Sequence, residues 1–173
     1  MHRPRRLSWI VFLAALALAL SAIAPAFAGS TEKLFFIQRS KNKNEIHYDA
    51  RLTAKNELDP NNPIDAYWLR LGGDGSRGPI TMLQKMAYGY DVDRGTDGTY
   101  RMQLTALKKR PLMLVHVNGR WRAQATIGGK QAYLHHLYVS TNESGLIPKV
   151  LYIDVFGEEL GTGKAIQERL VDK

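Results

Sequence analysis

The sequence predicts a mainly β domain, a rolled antiparallel sheet or barrel-like fold of about eight strands with one or two short helices. A two-sheet β-sandwich is the alternative. Three observations carry this. Beyond Lys33, apolar and polar residues alternate with a period of two in run after run. The runs are separated by short turn signals, among them Asn118-Gly119 and Gly128-Gly129. The chain contains no Cys, so stability has to come from a packed sheet rather than from disulfides.

The chain opens with the three parts of an export signal. Arg3, Arg5 and Arg6 form a positive region, Leu7 to Ala24 an uncharged apolar stretch, and Pro25 precedes the small-x-small pattern Ala26-Phe27-Ala28. Cleavage is expected after Ala28, which makes residues 1–28 a signal peptide and 29–173 a single β-rich domain that works in the periplasm or is secreted. A retained anchor is the competing reading, because 18 apolar residues approach the ~20 that span a bilayer. No Cys follows to take a lipid. After cleavage no stable membrane span is expected.

The strands are expected at Leu34–Arg39, Glu45–Leu52, Ile64–Leu71, Thr99–Leu107, Leu112–Val117, Arg120–Ile127, Lys130–Ser140 and Lys149–Phe156. One helix fits Pro79–Tyr88, with Pro at the start, Gly89 at the stop, and Ile80, Leu83 and Ala87 on one face. A second short helix fits Gly163–Val171, capped by Thr162.

Two tight turns set a register for residues 112–140. Counting outward from them, His116 faces Trp121, Leu114 faces Ala123, Ala125 faces Ala132, Ala123 faces Leu134, and Trp121 faces His136. The core face then reads Leu112, Leu114, His116, Trp121, Ala123, Ala125, Ala132, Leu134, His136 and Tyr138. A one-residue slip would reverse it. The row His116–Trp121–His136 is a candidate binding feature, with an aromatic-polar lid over one end of the core as the plainer reading. Its two His backbones would sit roughly 10 Å apart, too far for one metal ion. The small centre of Ala123, Ala125 and Ala132 either receives Phe36, Trp68 or Tyr152 or leaves room for an apolar ligand.

Other candidates are weaker. Arg39 ends the row Phe35, Ile37, Arg39, and Arg70 ends the row Trp68, Arg70; each is a rim residue reaching water or an anion clamp at a pocket mouth. His47 and Asp49 share a strand face and could pair. Lys108-Lys109-Arg110 could join Arg120 and Arg122 in a basic patch. The segment Gly157 to Ala165 resembles a phosphate-binding loop but has the wrong glycine spacing and no hydroxyl after Lys164. No nucleophile elbow or His-Glu-x-x-His pattern is present. The expected site is therefore a binding one, Arg39, Trp68, Arg70, His116, Trp121 and His136, with no catalytic set, no metal and no cofactor.

The chain carries 24 basic and 16 acidic residues. Three basic and no acidic residues fall in the signal, which leaves 21 against 16, a net +5 on the exported domain. Outside the cytoplasm that charge favours an anionic glycan, lipid or protein partner over nucleic acid. The leading expectation is a non-enzymatic domain that binds an envelope component or an apolar or anionic ligand. The rivals are a hydrolase or lyase acting on envelope glycans or lipids, and a structural subunit of an envelope complex.

Several stretches taken together, Leu34 to Asn44, Tyr67-Trp68-Leu69-Arg70, Leu83 to Gly89, Ile127 to Lys130, Pro148 to Tyr152 and Thr162-Gly163-Lys164, resemble a bacterial family known only as a domain of unknown function. The resemblance spans about 34 to 170. It implies one domain, commonly behind a signal peptide, and carries no functional residues with it.

Overall fold

The computed structural model describes residues 29–142, 144 and 149–171; the expected signal peptide at 1–28 lies outside them. The protein is mainly β, a curled, open half-barrel. Its strands are β1 (Thr31–Arg39), β2 (Asn42–Arg51), β3 (Ile64–Leu69), β4 (Arg77–Pro79), β5 (Tyr90–Arg94), β6 (Tyr100–Leu104), β7 (Leu112–Val117), β8 (Arg120–Ile127), β9 (Lys130–Asn142), β10 (Lys149–Glu159) and β11 (Ala165–Val171). The helix α1 (Met82–Tyr88) lies between β4 and β5, and a single 3-10 turn covers Thr105–Leu107.

The curl comes from β9. Its residues 130–133 pair with β8, its residues 136–139 pair with β1 in parallel, and β10 runs antiparallel along 132–142. A strand has two edges, so β8 and β1 share the one that β10 leaves free. Two arms grow from that shared edge, β1-β2-β3-β4 and β8-β7-β6-β5, while β10 and β11 extend from the other edge. The sheet thus contains a parallel pair where purely antiparallel pairing is expected from the sequence.

The hairpin turns act as their composition dictates. Asn118 and Gly119 both take positive φ, and His116 pairs with Trp121 and Leu114 with Ala123. Ala125 pairs with Ala132, as counted. Beyond Tyr133 the count fails. Opposite the step from Gly157 to Phe156 on β10, β9 advances from Leu134 to His136, so His135 is an extra, bulged residue. The bulge exchanges the faces: Ala132 and Leu134 point into the core before it, Leu137 and Val139 after it. His136 and Tyr138 therefore lie on the outer face, beside Phe36 and Gln38 of β1. Gly157 permits the close approach, because a Cβ there would sit 2.5 Å from the Tyr133 carbonyl oxygen and 2.6 Å from Ile127 Cδ1.

The core is one cluster containing Phe35, Ile37, Ile46, Tyr48, Trp68, Met102, Leu112, Leu137 and Val155 together with Ala123, Ala125 and Ala132. Of the large residues considered as fillers, Trp68 is inside. Phe36 stacks on the outer face, and Tyr152 lies under the Arg169 guanidinium, 3.8 Å from the ring centroid.

Two helix expectations change. Gly163–Val171 is not a helix: Ala165–Val171 is β11, paired with β10, and Thr162 closes the turn between them by donating to Glu159 and accepting from the Lys164 amide. Ile166 and Leu170 are four apart, a spacing that puts them on one face of a helix or a strand alike. The helix at 79–88 starts later, at Met82, behind a Thr81/Gln84 capping box. Of its predicted apolar face only Ile80, ahead of the helix, packs on the core, and Leu83 and Ala87 are exposed. Among the described residues no helix is long and apolar enough to cross a membrane.

Candidate functional site

The two arms of the sheet do not meet. β4 is only three residues long and pairs with Tyr67–Leu69, so residues 64–66 of β3 have no strand on that side. Across the gap stand the end of α1 and β5. Between them lies a cleft of about 890 Å3. The gap is spanned by hydrogen bonds rather than by a ladder. Tyr90 donates to the Ile64 carbonyl at 3.1 Å, and the buried Tyr48 donates to the Tyr88 carbonyl at 2.7 Å. Burial raises the pKa of both phenols.

The cleft is lined by three cations, Arg51, Arg77 and Lys85, two carboxylates, Asp65 and Asp91, and three tyrosines, Tyr67, Tyr88 and Tyr90. Asp65 is shared. Arg51 Nη2 reaches its Oδ1 at 2.8 Å, and Arg77 Nη2 binds its Oδ2. The Arg77 guanidinium also lies 3.5 Å from the centroid of the Tyr67 ring, a cation–π stack. Tyr67 donates to Asp49 Oδ2 at 3.0 Å. Desolvation, then that hydrogen bond and the Asp49 charge, push the Tyr67 phenol up to about 12.

Tyr67 is also the end of a row of rings on the outer face. Phe156, His136, Phe36, His47 and Tyr67, from five adjacent strands, stack with successive centroids 4.3, 5.0, 5.4 and 5.4 Å apart and planes within 17° of parallel. Arg77 caps the row at the cleft. His47 is anchored by Glu45 at 2.8 Å, not by Asp49. Burial, then the neighbouring His135, lower the pKa of His136, with Glu45 opposing.

The six residues singled out from the sequence do not form one site. Arg39 and Trp68 come together: the Arg39 guanidinium lies 5.7 Å from the Trp68 centroid and 5.8 Å from Tyr88, behind the cleft wall. Arg70 is exposed in the turn after β3. His116 and Trp121 are neighbours at 5.3 Å, capped by the 53–57 turn, where Trp121 Nε1 donates to the Asn56 carbonyl and Asn56 Nδ2 lies 3.3 Å from His116 Nε2. That is the lid geometry. His136 is absent from it, because the bulge has turned it to the outer face.

The expected basic patch is divided as well. Arg110 is held by Glu168, Arg120 by Glu32 at 2.9 Å, and Arg122 lies over the Tyr133 ring with Glu158 at 3.8 Å. Lys108 and Lys109 stay exposed. Gly161 and Gly163, with positive φ, belong to the β10–β11 turn, which makes Gly157–Ala165 a hairpin connection rather than a phosphate loop. Among the described residues no group of three His, Asp or Glu is placed to hold a metal ion.

Sequence reasoning missed the Asp65–Arg51–Arg77 cluster and the ring row. The series Phe36, His47, Tyr67 lies on the face opposite the core, where His47 and Tyr67 are nonetheless buried; rings at matching positions of three successive strands were the usable signal. Gly157, mid-strand, was another, because a strand glycine marks a bulge or a close approach.

No curated protein and no solved structure matches the chain. A family model described as "Domain of unknown function (DUF4833)" matches residues 35–169, nearly the whole described domain, and the chain belongs to that family.

Proposed function

We propose that the protein is exported to the periplasm or beyond and acts there as a non-enzymatic binding domain, its ligand an anionic, ring-bearing envelope component, an acidic glycan foremost. The signal-like leader and the +5 domain support the compartment and the sign of the partner. The cleft falls within the roughly 300–1,000 Å3 of small-molecule sites and offers tyrosine rings beside fixed polar groups.

The observation that carries the reading is the shared Asp65. One carboxylate holds two guanidiniums in place at the cleft, so an arriving carboxylate or phosphate meets donors already oriented and one positive charge in excess. Tyr90, half-buried on the cleft wall, then supplies ring surface for a sugar, while Tyr67 holds the Arg77 guanidinium in place.

Calorimetry with a panel of uronic-acid and N-acetylmuramyl oligosaccharides, and neutral malto-oligosaccharides as controls, tests this. Acidic members should bind and neutral ones should not, and Arg77→Gln should weaken binding about tenfold, in line with the loss of one charge-assisted contact. Equal binding of neutral and acidic probes, or none of either, overturns the reading. Turnover of a probe would replace it with the hydrolase or lyase alternative.

A further inference from the structure

The helix α1 has no buried residue. Met82, Leu83 and Met86 are 82 %, 76 % and 75 % exposed, more than any other large apolar side chain among the described residues. They sit within two turns of one helix, so they form a single projecting patch rather than scattered exposure. The capping box shows that the helix is well terminated, not frayed.

The surroundings of the patch are basic. Lys85 is on the same helix and exposed. The turn Thr105–Leu107 packs against α1, its Thr105 amide donating to the Gly89 carbonyl at 2.9 Å, and it leads directly into exposed Lys108 and Lys109. None of the three lysines enters an ion pair among the described residues, whereas Arg110, next in the chain, is neutralised by Glu168. An apolar projection with one unneutralised lysine on its helix and two beyond the turn packed against it matches one kind of surface, an interface with hydrocarbon beneath a layer of negative charge.

We infer that α1 docks the domain on an anionic lipid surface, with Met82, Leu83 and Met86 entering the headgroup–acyl boundary and Lys85, Lys108 and Lys109 lying against the lipid phosphates. A second copy of the chain fits less well. A two-fold contact through this patch would bring the same lysines face to face, and a seven-residue helix is small against the roughly 800 Å2 per partner of a standard interface. The three side chains also project into solvent and none of them lines the cleft, so they offer a peptide no groove there. Because Lys85 lines the cleft, docking would bring the cleft mouth close to the lipid surface.

Co-sedimentation tests the inference with vesicles of phosphatidylcholine alone and with about 30 % phosphatidylglycerol, at low and physiological salt. The protein's amino terminus should first be defined by intact mass. The parent should bind the anionic vesicles and release at higher salt. Met82→Ser/Leu83→Ser/Met86→Ser should lose binding at least tenfold. Lys108→Gln/Lys109→Gln should lose about fivefold per lysine removed. Both variants change only exposed side chains, and unchanged circular dichroism and melting temperature would show that they remain folded. Failure of the parent to bind anionic vesicles, or binding indifferent to both variants, overturns the inference. So does a parent dimer in light scattering that the serine variant dissolves without any vesicle binding. Carbohydrate binding in the cleft is measured separately, so either reading can fail alone.

Discussion

Gly157→Ala should destabilise the domain by a readable amount. The added Cβ would lie 2.5 Å from the Tyr133 carbonyl oxygen and 2.6 Å from Ile127 Cδ1, where ordinary contact begins near 3.4 Å. Ile127 is fully buried, so its terminal methyl has little room to retreat. The carbonyl belongs to the β9–β10 ladder, in which Tyr133 pairs with Glu158, so relief of about 0.9 Å has to come from the backbone next to the bulge. Overpacking of this kind costs about 1–3 kcal/mol. At ~2.1 cal/mol/K per residue, 145 residues lose about 0.3 kcal/mol per degree, so the melting temperature should fall by about 3–10 °C. Gly73 is the control. Its Cβ would meet nothing nearer than 3.9 Å and its φ is not positive, so Gly73→Ala should be neutral or slightly stabilising. Thermal unfolding by circular dichroism reads both. A Gly157→Ala variant that melts within a degree of the parent would refute the close approach, and with it the account of how β9 changes faces.

Two further outcomes follow from the cleft. Tyr48→Phe keeps the packing but leaves the Tyr88 carbonyl without its 2.7 Å donor, which should cost about 1–2 kcal/mol in urea unfolding; no change would mean that this bond does not hold the end of α1 to the core. For Tyr67, the folded phenol is pushed up to about 12 while an unfolded one titrates near 10, so folding favours the protonated form. Its contribution is complete below pH 10 and is lost as pH rises from 10 to 12. Tyr67→Phe should therefore make the alkaline fall in stability shallower, with Tyr48 and Tyr90 sustaining the remainder, and an identical alkaline limb in the variant would contradict the burial and hydrogen bonding assigned to Tyr67.

What the sequence could reveal was set by how local each determinant is. The strands at 112–117 and 120–127 are read to the residue because Asn118-Gly119 fixes both a turn and a register. The first part of β9 follows for the same reason. Its second half does not, because β9 serves two partners on one edge, and passing from β8 to β1 requires a bulge that no alternation pattern announces. β4 and β5 escaped notice for a different reason. Each is a short edge strand, Arg-Gly-Pro in one and Asp-Val-Asp in the other, and polar or proline-bearing sequence is how exposed edges avoid further pairing. Those two edges bound the cleft, so the features that hid the strands also hid the site. The Asp65 cluster draws Arg51, Asp65 and Arg77 from three strands and needs the sheet to exist before it can be seen. For α1 the expected face of Ile80, Leu83 and Ala87 is divided, Ile80 lying ahead of the helix against the core and Leu83 and Ala87 on its exposed side. A helical period states that Leu83 and its neighbours share a side, and only the fold decides whether that side meets the core. Here the short β4–α1–β5 crossing sets Ile80, just ahead of the helix, and Tyr88, at its end, against the core, and Met82, Leu83 and Met86 are left outside. Exposure of three large apolar side chains on one short helix has a cost in solubility, which is the physical reason to look for the surface that covers it.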